Sequence, residues 1–174
     1  MSEEIFDVVD DRDRVIGKQI RREVHRRGLK HRAIHLLVFN ARGEVFLQKR
    51  SFKKDTFPGA WDSSASGHLD SGETYDACAV REAREETAFE FVPTALIGVY
   101  LSRTLQGQDD ITYLRLAFAG DLGAFDAKAR LDDGIVRTVW MTPEEVEASQ
   151  DLHRSPLVWQ CVSDHRKGQR LPLA

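Results

Sequence analysis

Residues 67–89, reading GHLDSGETYDACAVREAREETAF, constrain this chain more than any other stretch. From Tyr75 to Thr87 there is neither Pro nor Gly, and Thr74 is a residue type that caps helix N-termini, so a helix is expected there. At 3.6 residues per turn, Glu82, Glu85 and Glu86 fall within an arc of about 100° on one face. Three carboxylates crowded there repel one another unless something positive joins them. A hard divalent cation such as Mg2+ takes oxygen ligands and bridges carboxylates to substrate phosphates. It also polarises a phosphoryl oxygen and makes water a better nucleophile. A merely solvated helix face could carry the same charges, with Arg81 and Glu85 as an ordinary i,i+4 pair. Such a face would not need Gly67, Glu73 and the flanking Phe57-Pro58-Gly59 in register.

That register is Gly, five residues, Glu, seven residues, Arg-Glu, an aliphatic residue, any residue, Glu-Glu. It resembles the Nudix box, the signature of a superfamily that hydrolyses nucleoside diphosphates linked to another group. Gly67, Glu73, Arg81, Glu82, Glu85 and Glu86 match, with Ala83 and Phe89 at the apolar positions. Ala88 departs from the pattern, standing where the box has Gly. A left-handed cap costs Ala about 1 kcal/mol, so the helix is expected to end differently. The resemblance implies an α/β/α sandwich with a central mixed sheet, the box forming a loop-helix-loop. It implies Mg2+, with Mn2+ as a substitute, held by Glu82, Glu85, Glu86 and the backbone carbonyl of Ser66. The same three glutamates are the implied catalytic residues, with Glu73 and Arg81 bracing the loop against the helix. The superfamily commonly places a phosphate-gripping Arg at the end of the strand before the box, where this chain has Lys49 and Arg50. Arg50 is preferred because its planar fork makes paired hydrogen bonds to phosphate.

With 174 residues, 41% hydrophobic and 30% charged, the chain is expected to form one domain, 1–174, with a core at about 30–165 and residues 1–29 packed on it. No long apolar run suggests a membrane span, and no signal-peptide pattern opens the chain. Two cysteines are too few for a disulfide framework, which points to the cytoplasm. Segments 33–40 and 44–50 read as a hairpin around Ala-Arg-Gly, and 95–102 and 111–119 as strands around a polar turn at 106–110. Residues 135–141 read as a further strand. Thr142-Pro143-Glu144-Glu145 is a capping box with Pro at the first helical position, and Ser155-Pro156 opens a last helix.

Residues 11–32 hold nine Lys or Arg against three acids in a chain of net charge −3. They read as a basic helix, either a solvated face or a surface for a polyanionic substrate. No aromatic interleaving or motif points to nucleic acid. A homodimer is compatible with the sequence, although no feature calls for it. Within the superfamily, residues 6–86 look most like isopentenyl-diphosphate isomerase and its hydrolytic relatives. His25, His31 and His68 sit near that isomerase's metal-binding histidines. The isomerase's Cys before Gly-His is Ser66 here, and its Glu-X-Glu strand reads Ile111-Thr112-Tyr113. A hydroxyl is a far weaker acid than a thiol of pKa about 8.5. The histidines are therefore expected to be mostly structural or surface groups, with a second metal at His25 and His31 as the alternative. The general base is open between Glu85 or Glu86 and a loop acid, Asp132 or Asp133, or Asp109 or Asp110. Tyr113, Phe52 and Trp61 are candidate base-stacking aromatics. The expected function is Mg2+-dependent hydrolysis of the pyrophosphate of nucleoside di- or triphosphates, or of nucleoside-diphosphate-linked compounds, releasing a nucleoside monophosphate. The alternatives are the isomerase and a non-catalytic nucleotide-binding module.

Overall fold

The computed structural model describes residues 4–54, 57–106, 109–129 and 134–173. In chain order they form β1 (Ile5–Val9), β2 (Val15–Ile20), α1 (Arg21–Arg26), β3 (His31–Phe39), β4 (Val45–Arg50), β5 (Trp61–Asp62) and β6 (Ala65–His68). Helix α2 (Tyr75–Thr87), β7 (Phe89–Gln106), β8 (Asp109–Phe125), β9 (Ile135–Met141), α3 (Pro143–Ala148) and α4 (Leu157–Arg166) complete the order.

Strand β3 has the near-continuous buried pattern of a strand covered on both faces. Its alternate residues meet different layers, as the two-residue period of a strand requires. Ile34, Leu36 and Val38 pack with Cys78, Ala79 and Ala83 of α2. Leu37 packs with Val146 of α3 and with Val158, Cys161 and Val162 of α4. The result is the expected α/β/α sandwich around a mixed sheet, in which β3 pairs parallel with β8 and antiparallel with β1, β4 and β6.

The expected hairpin is present, with Gly43 at φ 78° in its turn, but β3 and β4 pair only at Val38–Phe46 and Phe39–Val45. Beyond that β4 turns to β5 and β9, while β3 turns to β6 and β8. Ser64 pins the fork: its Oγ accepts from Val38 N at 2.8 Å and donates to the Phe46 carbonyl, and its N donates to Leu36 O at 2.8 Å. Residues 61–68 cross between the two diverging strands, and this crossing carries one wall of the site.

Two expectations need correction. The strands expected at 95–102 and 111–119 are the middles of β7 and β8, which run much further. Pro93, Gly98 and Gly120 look like strand ends in sequence, yet β7 passes Pro93 and Gly98 through register shifts. The basic segment 11–32 is only briefly helical. Val15–Ile20 is a strand antiparallel to β1, and α1 has six residues. Phe6, Val8 and Val24 make this hairpin and helix a small core of their own. Buried Asp7 ties β1 to the loop before α2, accepting from Ser71 Oγ at 2.8 Å and Gly72 N at 3.0 Å. Among the described residues no helix is long and apolar enough to cross a membrane.

Candidate active site

Helix α2 begins as its sequence indicates, with the Thr74 side chain accepting from Ala77 N. Its end corrects the expectation. Ala88 adopts the left-handed conformation, φ 61°, and its N–H still closes on Arg84 O, so the helix stops as it would with Gly at the cost of local strain. Cys78, Ala79 and Ala83 bury one stripe of the helix. Glu82 and Glu86, one turn apart, point at β6. Gly67 leaves room for the Glu82 carboxylate, because a Cβ at that position would meet and displace it.

Glu86 accepts from Gln48 Nε2 at 2.9 Å and from Ser66 N at 2.8 Å, both at the same oxygen. Glu82 accepts from Arg81 Nη1 at 2.7 Å, and Glu85, 58% exposed, lies 3.3 Å from that same nitrogen. Arg81 also grips Glu73 through Nε and Nη2, each at 2.9 Å, and the His68 carbonyl at 3.1 Å. Loop, helix and β6 are thus braced by one guanidinium. Burial pushes Glu82 up to about 7, even with Arg81 beside it, and Glu86 up to about 8. Two neighbouring carboxyls that resist ionisation are what a missing counter-charge produces. The three glutamates do not converge as the sequence implies: among the described residues the group that brings ligand atoms within 4.8 Å of one another is His25, His31 and His68, whereas Glu82, Glu85 and Glu86 line the cleft with Ser66, and Glu82 and Glu85 meet Arg81. Carboxylate oxygens of this kind suit a hard divalent cation.

These groups form one end of a cleft of about 540 Å³. Arg50 and Lys54 also line it. Lys49 does not belong there: its Nζ sits 4.4 Å from the Trp61 ring centroid, on the sheet face opposite Arg50. Tyr113 lines the cleft, whereas Trp61 is a core residue and Phe52 is 73% exposed. Asp132 and Asp133 lie outside the described residues, as do the side chains of Asp109 and Asp110.

Further along the cleft, His25, His31 and His68 are brought together, each offering a ring nitrogen within 4.8 Å of the others. Phe6 stacks on His31 and His68, and Tyr113 packs edge-on against His31. Burial lowers His31 to about 4 and His68 well below its ordinary value, so both are neutral imidazoles able to accept a metal. Asp62 is a site residue that sequence reasoning misses. It is fully buried between Arg154 Nη1 at 2.7 Å and Arg50 Nη1 at 3.4 Å. Burial alone would raise its carboxyl, but Arg154, His35 and Arg50 hold it far below the usual range. No local pattern could reveal this pair, since Arg154 and Asp62 are 92 residues apart.

The family model described as "NUDIX domain" matches residues 29–160. An uncharacterized Nudix hydrolase of Streptomyces coelicolor is 38% identical over 92 residues, covering 53% of this chain and 51% of that protein. The chain thus spans about half the length of that relative. An isopentenyl-diphosphate Delta-isomerase of Serratia proteamaculans is 35% identical over 136 residues, covering 72% of this chain and 69% of that one. Among solved structures, a NUDIX hydrolase from Nitrosomonas europaea superposes with a TM-score of 0.73 at 33% identity, covering 82% of this chain and 92% of that one.

Proposed function

The chain belongs to the Nudix family, and from that premise we propose that it is an intracellular, Mg2+-dependent hydrolase of a pyrophosphate bond. Its substrates are nucleoside di- or triphosphates, or nucleoside diphosphates linked to another group, and a nucleoside monophosphate is released. The observation that carries this reading is the pair of half-buried carboxylates, Glu82 and Glu86, set against Ser66 in a cleft that also holds Arg50.

A divalent cation bound there would supply Lewis-acid polarisation of the phosphoryl group and activation of water. Glu82, Glu86 and the Ser66 backbone are the groups that would hold it. Gln48 and the Ser66 N–H fix the Glu86 carboxylate, and Arg81 with Glu73 keeps the helix and loop in register. Arg50 binds a non-bridging phosphate oxygen and draws charge away from the attacked phosphorus. Glu85 is the carboxylate with room at the rim, and it takes the proton of the attacking water.

One observation favours a second reading. The cluster of His25, His31 and His68 has the spacing to hold a metal ion, and one relative is an isopentenyl-diphosphate Delta-isomerase. Isomerising an unactivated alkene needs a strong acid and a carboxylate on opposite faces. Ser66 offers only a hydroxyl, and the ring of Tyr113, not a carboxylate, faces His31. A non-catalytic module is disfavoured by the intact box glutamates.

The test is a panel of nucleotides, dinucleotides and nucleotide sugars with Mg2+, assayed for monophosphate release. Turnover of at least one member is expected, and it should disappear with EDTA. Failure on the whole panel would remove the reading.

A further inference from the structure

Behind Ser66 the wall of the cleft is rich in guanidiniums. Among the described residues Asp62 is the fully buried carboxylate there, bonded to Arg154 and to Arg50, with Glu86 nearby. Arg115 of β8 joins them, with its guanidinium 4.6 Å from the Tyr113 ring centroid and only 7% of the residue exposed. Its Nε is buried with no hydrogen-bond partner among the described residues, and neither ring nitrogen of fully buried His35 has one. His35 stands directly opposite Ser66 across the β3–β6 pairing, so it adds no compensating anion. A buried guanidinium with an unpartnered N–H, beside a second one that lines the cleft, suits an anion.

Arg154 is the part of this cluster that reaches the cleft. Its side chain is 21% exposed and lines the cavity. Its Nη1 donates to Asp62 at 2.7 Å and to Ser66 Oγ at 3.4 Å. Ser66 is also the residue whose N–H holds Glu86. The guanidinium therefore stands one residue away from the proposed cation site.

We infer that Arg154, oriented by Asp62 and backed by Arg115, forms a subsite for a terminal phosphate lying beyond the bond that is cut. The inference rests on the hydrolase reading and narrows it. A terminal phosphate carries close to two negative charges near neutral pH and would balance the buried guanidiniums. A sugar in the same position brings no charge. Nucleoside di- and triphosphates, rather than nucleotide sugars, are the substrates this wall selects.

Two measurements decide it. ATP and ADP-glucose share a nucleoside and differ in the group attached beyond the diphosphate. Arg154→Gln should lower the ratio of their kcat/KM values at least about tenfold, with Arg154→Lys recovering part of it. An unchanged ratio would overturn the inference. Inorganic phosphate binding to metal-free protein in EDTA, monitored by calorimetry, needs no turnover. It should weaken at least about fivefold in Arg154→Gln and equally in Asp62→Asn/Arg154→Gln, which leaves no buried carboxylate unpaired and guards against misfolding. Equal binding by wild type and both variants, or no binding by wild type, would overturn the subsite. If phosphate binding depends on Arg154 while no substrate is hydrolysed, the subsite stands and the hydrolase reading alone fails.

Discussion

The two ends of the cleft have opposite electrostatic needs. At the α2 end, Glu82 and Glu86 are half-buried, and desolvation pushes both carboxyls toward neutrality. At the Arg154 wall, Arg50, Arg115 and Arg154 gather around Asp62, and burial pushes Arg115 down to about 10. One end asks for a cation and the other for an anion. A phosphate chain carrying a divalent cation satisfies both at once, which neither a free metal nor a free phosphate does. The unfavourable burial at each end is thus relieved by the complex, a way to hold binding free energy in a preorganised site.

The sharpest way to break this comparison is at the residue joining the two ends. Asp62→Asn leaves Arg154 and Arg50 facing a buried amide and should cost about 3 kcal/mol of stability, read as a fall in Tm. Because the folded carboxyl titrates far below its unfolded value of about 3.9, the stability it contributes is present above that pH and is lost as the pH falls below it. The wild-type Tm should therefore drop more steeply than the variant's from about pH 4 downward. Parallel profiles would remove Asp62 as the electrostatic keystone.

Glu86→Gln isolates the acidic end. It keeps shape and loses charge, so kcat should fall at least about a hundredfold, near 2.7 kcal/mol of transition-state stabilisation. Circular dichroism and Tm should stay close to wild type, since a neutral side chain suits that half-buried position. Glu73→Gln should cost less, about tenfold or under, because Glu73 acts on the site only through Arg81. A larger loss than in Glu86→Gln would reverse the proposed roles. The smallest effect is expected at the helix end. Ala88→Gly relieves a left-handed backbone and loses a buried methyl, for a net gain below about 1 kcal/mol. Turnover should not change.

The same contrast explains why one end of the cleft is legible in the sequence and the other is not. The acidic end lies within residues 66–86, so helical period, cap and spacing suffice to gather Glu73, Glu82 and Glu85 on Arg81, whereas Glu86 is held by Gln48 of β4 and Ser66 of β6. The helices packed on the sheet are legible for the same reason, as the capping box at Thr142 shows. The other end is assembled from His25, His31, Asp62, His68, Tyr113, Arg115 and Arg154, joined by strand pairing and by the loop before α4. No local period links them, and a lone His or Arg in a basic segment looks like a surface residue. Lys49 shows the limit at single-residue scale. It neighbours Arg50 in sequence, but strand alternation sends it to the opposite face. Ala88 shows the reverse, a position where intrinsic preference argues against a conformation that packing imposes.

The central claim is that the glutamate end hydrolyses a phosphoanhydride and that the histidine end does not isomerise an alkene. The most direct test offers the protein two substrates with Mg2+ in water enriched in oxygen-18: a nucleoside triphosphate and isopentenyl diphosphate. Mass spectrometry should find one labelled oxygen in the phosphate products from the nucleotide. That label should appear at least about a hundredfold more slowly with Glu86→Gln, and no dimethylallyl isomer should appear above background. Isomer formation at a rate comparable to nucleotide turnover, or label incorporation at an undiminished rate in Glu86→Gln, would contradict the account.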